Sequence, residues 1–280
     1  MNIKNAGKDI CIWDGTPVAT AFGRTTHMAV AAHQDDAEFM AYQGILECFG
    51  NPNKHFTAVV LTDGASSPRN GQYKSITDQQ MSQMRVQEQR KAALIGEYSA
   101  CVQLMYSSKQ VKDKRNTAVV DDILEVLTTS QPEIVYTHNL ADRHDTHVAV
   151  ALRTIAAIRR MPRNIRPKTL LGCEVWRGLD WMEDEEKVRL DTSGKQNLAY
   201  ALTNIFESQI SGGKNYGAGV TGRRRANATF QSSHSVDGIT HITYAMDLTP
   251  LIVDDALDIQ QFVLGYINKF HDIVAEKLKT

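Results

Sequence analysis

Short apolar runs alternate with amphipathic stretches from about His27 onward, and that alternation limits what the chain can fold into. Met28–Ala32 (MAVAA) and Thr57–Leu61 (TAVVL) are apolar throughout, as strands covered on both faces must be. Val102–Tyr106, Glu133–Thr137 and Thr169–Val175 are weaker runs of the same kind. Between them Ala37–Phe49, Thr77–Gly96, Ala118–Thr129 and Thr146–Arg160 have helical spacing. Thr77 and Asp78 are capping candidates, and Gly96 is a natural stop. Strands and helices alternating at this length predict an α/β fold, an open, mainly parallel sheet with helices on both faces.

The C-terminal part is less regular. Gln196–Gln209 reads as a helix, with Ser211-Gly212-Gly213 after it. Gly217–Gly222 and the run Arg223-Arg224-Arg225 read as loop, Thr240–Leu248 as a strand and Asp255–Leu278 as a long terminal helix. Without a repeat or low-complexity linker, the expectation is one domain over residues 1–280. Its core spans about 25–175, and 176–280 form a C-terminal elaboration.

Charge and cysteine content narrow the function. Lys and Arg total 31 against 32 Asp and Glu, a net charge of −1, which gives no electrostatic reason to expect nucleic acid or an anionic membrane as partner. Cys11, Cys48, Cys101 and Cys173 form no CxxC pair and read as reduced thiols of a cytoplasmic protein. No apolar run reaches the ~18 residues of a membrane span, and the first residues lack a signal-peptide core.

Polar clusters follow three of the expected strands: His33-Gln34-Asp35-Asp36, Thr62-Asp63-Gly64, and His138 through His147. In parallel α/β sheets ligands bind where such strand ends converge. His33 and Asp36 are three apart, as are His144 and His147, with Thr146 a candidate N-cap for the helix that follows. Two histidines and a carboxylate are a familiar catalytic zinc set, which His33, Asp36 and His147 can supply. Asp35 is then free to act as a base on water. From spacing alone the bland reading stays open: a strand-ending histidine is often structural, and Asp-Asp before a helix is often a cap.

Taken together, these motifs resemble the LmbE-like, or PIG-L, family of zinc-dependent N-acetylglucosamine deacetylases. The family's AHPDDE or AHPDDAE appears as AHQDDAE at Ala32–Glu38, and its strand-end TDG as Thr62-Asp63-Gly64. Its Arg-x-x-Glu helix appears as Arg85 and Glu88, running into Ala92-Ala93 and Leu94-Ile95-Gly96. Its closing histidine motif appears as Thr137-His138-Asn139 and Asp142-Arg143-His144-Asp145-Thr146-His147. The likeness covers roughly the first 150 residues and implies a Rossmann-like fold. It places Zn2+, or another divalent transition metal, on His33, Asp36 and His147, the general base on Asp35, and an electrostatic stabiliser facing the carbonyl on His144.

Two departures stand out. Gln34 replaces a proline, for which a local change is expected. Thr146 replaces an aspartate that tunes the facing histidine, a task that would fall to Asp142 or Asp145. Arg69 and Arg85 are candidates for contacting substrate, although Glu88 gives Arg85 an ion-pair alternative. Arg223–Arg225 are candidates for an anionic group or a plain surface loop. Trp176, Trp181 and Tyr216 are candidates for stacking on a sugar, with core or rim packing the simpler role. Glu38 reads as a helix first-turn acid. Gly222–His234 (GRRRANATFQSSH) resembles a segment of some bacterial members and receives no role. The expected partner is a small amino-sugar conjugate, with homo-oligomerisation open. Alternatives are a zinc amidase acting on a larger acyl group, and a metal-containing carbohydrate-binding protein without turnover.

Overall fold

The computed structural model describes residues 1–231, 234 and 236–279; Ser232 and Ser233 of the Gly222–His234 segment lie outside the described residues. Its strands are β1 (Asp9–Cys11), β2 (His27–Ala31), β3 (Phe56–Thr62), β4 (Ala100–Tyr106), β5 (Ile134–His138), β6 (Thr169–Cys173), β7 (Lys187–Asp191) and β8 (Ile242–Asp247). They form one sheet in the order β1-β4-β3-β2-β5-β6-β8-β7. The five central strands, β4 to β6, pair in parallel. β1 joins β4 antiparallel, β8 joins β6 antiparallel, and β7 pairs antiparallel with β8. From β2 the chain builds outward through β3 and β4, then returns to add β5 and β6 on the other side. The β2/β5 boundary is therefore the point where the connections part, and the crevice of such a sheet lies there.

Alternate β2 residues feed two cores. Met28 and Val30, followed by Ala32 just past the strand, pack on one face with α1 (Val18–Gly23), α6 (Thr117–Ser130) and α7 (Asp145–Arg160). Ala29 and Ala31 pack on the other with α2 (Asp36–Met40), α3 (Tyr42–Cys48) and α4 (Asp78–Ile95). Fully burying a Val, Leu or Met side chain is worth ~1.5–3 kcal/mol, which is why a strand covered on both faces must be apolar throughout. α4 begins on a capping box, Thr77 with Gln80, and closes at Gly96, as its sequence predicts. α5 (Ser108–Lys112) is short and was not anticipated.

The C-terminal part departs from expectation in three places. Gln196–Gln209 divides into α8 (Gln196–Thr203) and α9 (Glu207–Ile210). Gly217–Gly222 and Arg223–Arg225 are not a loop but belong to the helix α10 (Tyr216–Asn227). The glycines disguise it: each costs up to ~1 kcal/mol against Ala in a helix, yet Tyr216, Val220 and Arg224, four apart, form a buried stripe that holds it. Arg224 is therefore no surface charge. Its guanidinium donates to the carbonyls of Glu38 and Phe39 at 3.0 and 3.1 Å and lies 4.7 Å over the Tyr42 ring. Strands β1 and β7 were not anticipated, because an edge strand has one partner and tolerates charged alternation such as KVRLD. The chain continues through α11 (Pro250–Val253) and α12 (Ile259–Lys277). Among the described residues no helix is long and apolar enough to cross a membrane.

Glu174, just beyond β6, is 2% exposed and accepts the Tyr244 N–H at 2.9 Å and the Asn227 amide. Burial pushes its carboxyl from the usual 4.5 up to about 7, against the Tyr244 N–H and the Arg223 charge. The folded state thus holds this proton where the unfolded chain has lost it. The contribution is complete below pH ~4.5 and is lost as pH rises through about 7. Glu174→Gln is expected to flatten the decline in stability between pH 5 and 8, by on the order of 2–3 kcal/mol at the alkaline end, as measured by chemical denaturation across pH.

Candidate active site

Past the end of β2 the chain makes a tight turn rather than a regular helix start. The His33 N–H donates to Asp36 Oδ2 at 2.8 Å, and Asp35 adopts φ 100°, a conformation that costs a non-glycine residue ~1–3 kcal/mol. The surroundings hold it there. The Asp35 N–H donates to Gln89 Oε1 at 3.2 Å, and Gln89 Nε2 donates to Glu38 Oε1 at 2.8 Å. Tyr98 donates to the same Glu38 oxygen at 2.7 Å. Glu38 does sit in the first turn of α2, but it is fully buried and serves to orient Gln89. Gln34 reaches further than a local change: its Nε2 donates to Thr62 O at 3.0 Å and Gln103 Oε1 at 3.1 Å, tying the turn to β3 and β4. Gly64 adopts φ +68°, and a Cβ there would stand 2.6 Å from Gln34 Oε1 and 3.0 Å from Arg85 Cβ, so the TDG glycine allows both side chains in.

Two donor groups gather within 4.8 Å, His33 with His144 and His147, and Asp36 with His138 and His147. Short contacts join them. His33 Nδ1 lies 3.1 Å from Asp36 Oδ2, His147 Nε2 lies 3.3 Å from His33 Nδ1, and His147 Nε2 lies 3.5 Å from Asp36 Oδ2. Tetrahedral bonds of ~2.0–2.1 Å put neighbouring donor atoms ~3.3–3.5 Å apart, so this triangle has the dimensions of a metal-binding face. The tautomers agree. His147 Nδ1 donates to Asp142 Oδ2 at 3.0 Å, which leaves Nε2 as a lone pair aimed into the triangle. Burial opposes a proton on His147, but Asp36 and Asp142 outweigh it and raise the affinity. A field that attracts a proton there also attracts a cation. Burial likewise opposes charge on Asp36, yet His147 and His138 hold it well below the usual carboxylate range.

His138 takes a different part. Its Nε2 accepts the Ala32 N–H at 2.9 Å, so that lone pair is engaged, and its ring stacks on His147 at 3.9 Å. Burial and the His147 charge keep it neutral. The closing motif contains His138 without assigning it a task; its position as the last residue of β5 is the available signal. His144, not Thr146, caps α7: its Nδ1 accepts the Thr146 N–H at 3.3 Å, which leaves the proton of the neutral ring on Nε2. Burial and then the His147 and His33 charges lower its basicity.

Asp35 is 4% exposed. Its Oδ2 accepts from Arg85 Nη2 at 2.7 Å and from the Tyr216 hydroxyl at 2.9 Å. Burial pushes its carboxyl up to about 6, with Arg85 opposing and Asp36 reinforcing. With His33, Asp36, His144 and His147 it lines a cleft of about 470 Å³, walled by Gly64, Trp176 and Tyr216.

The remaining sequence candidates fall as follows. Arg85 reaches the cleft but is 1% exposed and engaged with Asp35, Glu88 and the Gln34 carbonyl. Arg69 pairs with Asp78 and the Ala65 carbonyl, outside the cleft lining. Asp142 supports both histidines of its motif, through His147 Nδ1 and through the His144 N–H at 2.8 Å, whereas Asp145 is exposed in the first turn of α7. Trp176 stands in the cleft wall, and Trp181 packs against the hydrophobic core. Gln89 and Tyr216 were not singled out for these contacts. Gln89 is four residues from Arg85 on one helix face, a readable signal; Tyr216 lies 181 residues from Asp35 and gave none.

Residues 28–158 match the family described as "PIG-L: GlcNAc-PI de-N-acetylase". Over that segment the chain is similar to the PIG-L, or LmbE-like, family. Several solved structures share the fold at low identity. The 4-carboxy-2-hydroxymuconate hydratase GalB from Pseudomonas putida KT2440 is 16% identical with a TM-score of 0.62, covering 80% of this chain and 96% of that one. The N,N'-diacetylchitobiose deacetylase from Pyrococcus horikoshii is 13% identical with a TM-score of 0.60, covering 82% and 86%. The A40926 pseudoaglycone deacetylase Dbv21 is 15% identical with a TM-score of 0.56, covering 81% and 98%. No curated protein matches the chain significantly.

The two overlapping donor groups make different predictions. His33→Ala and His147→Ala are each expected to abolish retention of a divalent metal after dialysis. His138→Gln, whose carbonyl can still accept the Ala32 N–H, is expected to weaken it by no more than about 10–100-fold. Metal analysis of the purified variants checks this, and retention in His33→Ala with loss in His138→Gln would favour the other set.

Proposed function

We propose that the chain is a zinc-dependent hydrolase that removes the N-acetyl group from an N-acetylglucosamine conjugate. The observation that carries this reading is the His33–Asp36–His147 triangle with the Asp35 carboxylate beside it in one cleft. The family description and the deacetylases among the structural neighbours support it. A hydratase shares the fold, so the fold by itself does not choose amide hydrolysis. The four unpaired cysteines fit a reducing, cytoplasmic setting.

A zinc ion held by the triangle would polarise the acetyl carbonyl and acidify the attacking water. The protein's part begins with Asp35. Its affinity of about 6 leaves the carboxylate charged at neutral pH and basic enough to take the proton as the water oxygen attacks the carbonyl carbon. Arg85 and Tyr216 occupy Oδ2, so Oδ1 is the oxygen left to face the cleft. His144 presents its Nε2–H as a fixed donor for the charge developing on the carbonyl oxygen. Asp35 then returns its proton to the departing nitrogen as the C–N bond breaks, giving acetate and a free amine.

Released acetate, measured on a panel of N-acyl glucosamine conjugates with the zinc-loaded protein, tests the reading. The N-acetyl members are expected to turn over; release of a longer acid in preference would indicate an amidase, and silence across the panel would refute hydrolysis. Asp35→Asn is expected to keep its zinc and lose about 10²–10⁴ in kcat. An Asp35→Asn protein as fast as the wild type would remove Asp35 as the base.

A further inference from the structure

We propose that Tyr216 is a positioning residue that aims the Asp35 carboxylate, so that the C-terminal segment outside the family match completes the site. This rests on the assignment of Asp35 as the base. Asp35 has no helix behind it to fix its side chain, since it stands at φ 100° before the first turn of α2. Its direction is set from outside, by donors on two other elements. Arg85 on α4 and Tyr216 on α10 both donate to Oδ2, at 2.7 and 2.9 Å. Neither has freedom to follow a rotating carboxylate. Arg85 is 1% exposed and pinned by Glu88 at 3.0 Å. Glu88 is itself held by the Ser208 N–H at 2.6 Å and the Ser208 hydroxyl at 2.9 Å, from α9. Tyr216 is 6% exposed, with its ring against Phe39 at 5.0 Å and Trp176 at 5.1 Å. Burial and the Asp35 charge keep its phenol protonated, so it remains the donor.

Two rigid donors on one oxygen define the direction of the other. With Oδ2 taken, rotation of the carboxylate toward the metal ligands would break both hydrogen bonds inside a buried pocket. Oδ1 is thereby presented to the cleft and kept off the triangle, where a second carboxylate would compete for the cation. Tyr216 and Ser208 both lie beyond residue 158, the end of the family match, so a segment outside the one that holds the triangle steers the base along two routes.

Tyr216→Phe tests this, because the ring keeps its packing and only the hydroxyl is lost. In the zinc-loaded enzyme acting on its best N-acyl substrate, kcat is expected to fall about 10- to 100-fold with KM within about threefold and zinc content unchanged. A second measurement does not depend on activity. Tyr216→Phe is expected to lower the thermal midpoint by roughly 2–4 °C in the wild-type background, and by less than about 1 °C when Asp35 is already Ala. Equal shifts in both backgrounds would overturn the contact. A coupled shift with kcat unchanged would reduce Tyr216 to a structural neighbour and overturn positioning. If no N-acyl substrate turns over in the wild type, the hydrolase reading fails separately, and the thermal coupling still decides whether Tyr216 holds Asp35.

Discussion

The Asp36 carboxylate is 1% exposed, and burying such a charge costs several kcal/mol unless partners surround it. The whole crevice is arranged around that need. The His33 N–H turns back onto Asp36, which sets the turn after β2, and three imidazoles stand within 3.1–3.5 Å of one of its oxygens. Two come from the end of β5 and the start of α7, across the boundary where the sheet connections part. That boundary brings a strand end from each half of the sheet together without any insertion. His138 shows how tightly the requirement is met: it closes the open end of β2 by accepting the Ala32 N–H and stacks beneath His147.

Neighbouring aspartates acquire opposite properties in this frame. Asp36 faces imidazoles and is driven well below the usual range, while burial pushes Asp35 up to about 6. A pair of carboxylates whose environments split their affinities is a physical sign of divided roles, one holding charge and one exchanging protons. The helix behind them reverses the usual rule to make this possible. On α4 the polar side chains Arg85, Glu88 and Gln89 point inward, each with a partner among the turn or the C-terminal segment.

Much of this was legible in the chain because its signals are local. Continuous apolar runs mark doubly covered strands, so the parallel centre of the sheet could be read. The polar clusters at strand ends could be joined once the sheet was expected. His33, Asp36, His147, Asp35 and His144 do meet in one cleft. What escaped depends on contacts between distant segments. Gly217–Gly222 looks like loop until the Tyr216, Val220 and Arg224 stripe finds α2 and the sheet to pack on. Glu38 looks like a helix-start acid until Tyr98 and Gln89 reach it. No periodicity in the chain encodes these pairings.

The division of the chain has a consequence for specificity. Residues 28–158 carry every donor of the triangle, and the segment beyond them carries Tyr216, Ser208, Trp176 and Arg224. Arg224 locks α10 onto the carbonyls of α2, the helix that opens with Asp36, so the two parts are registered to each other at the site itself. Changing the outer segment can therefore alter the hydrogen bonding of Asp35 and reshape the cleft wall while leaving the triangle intact. The matched region supplies the donor triangle, and the C-terminal segment supplies the Tyr216 donor to Asp35 Oδ2 and the Trp176 wall of the cleft.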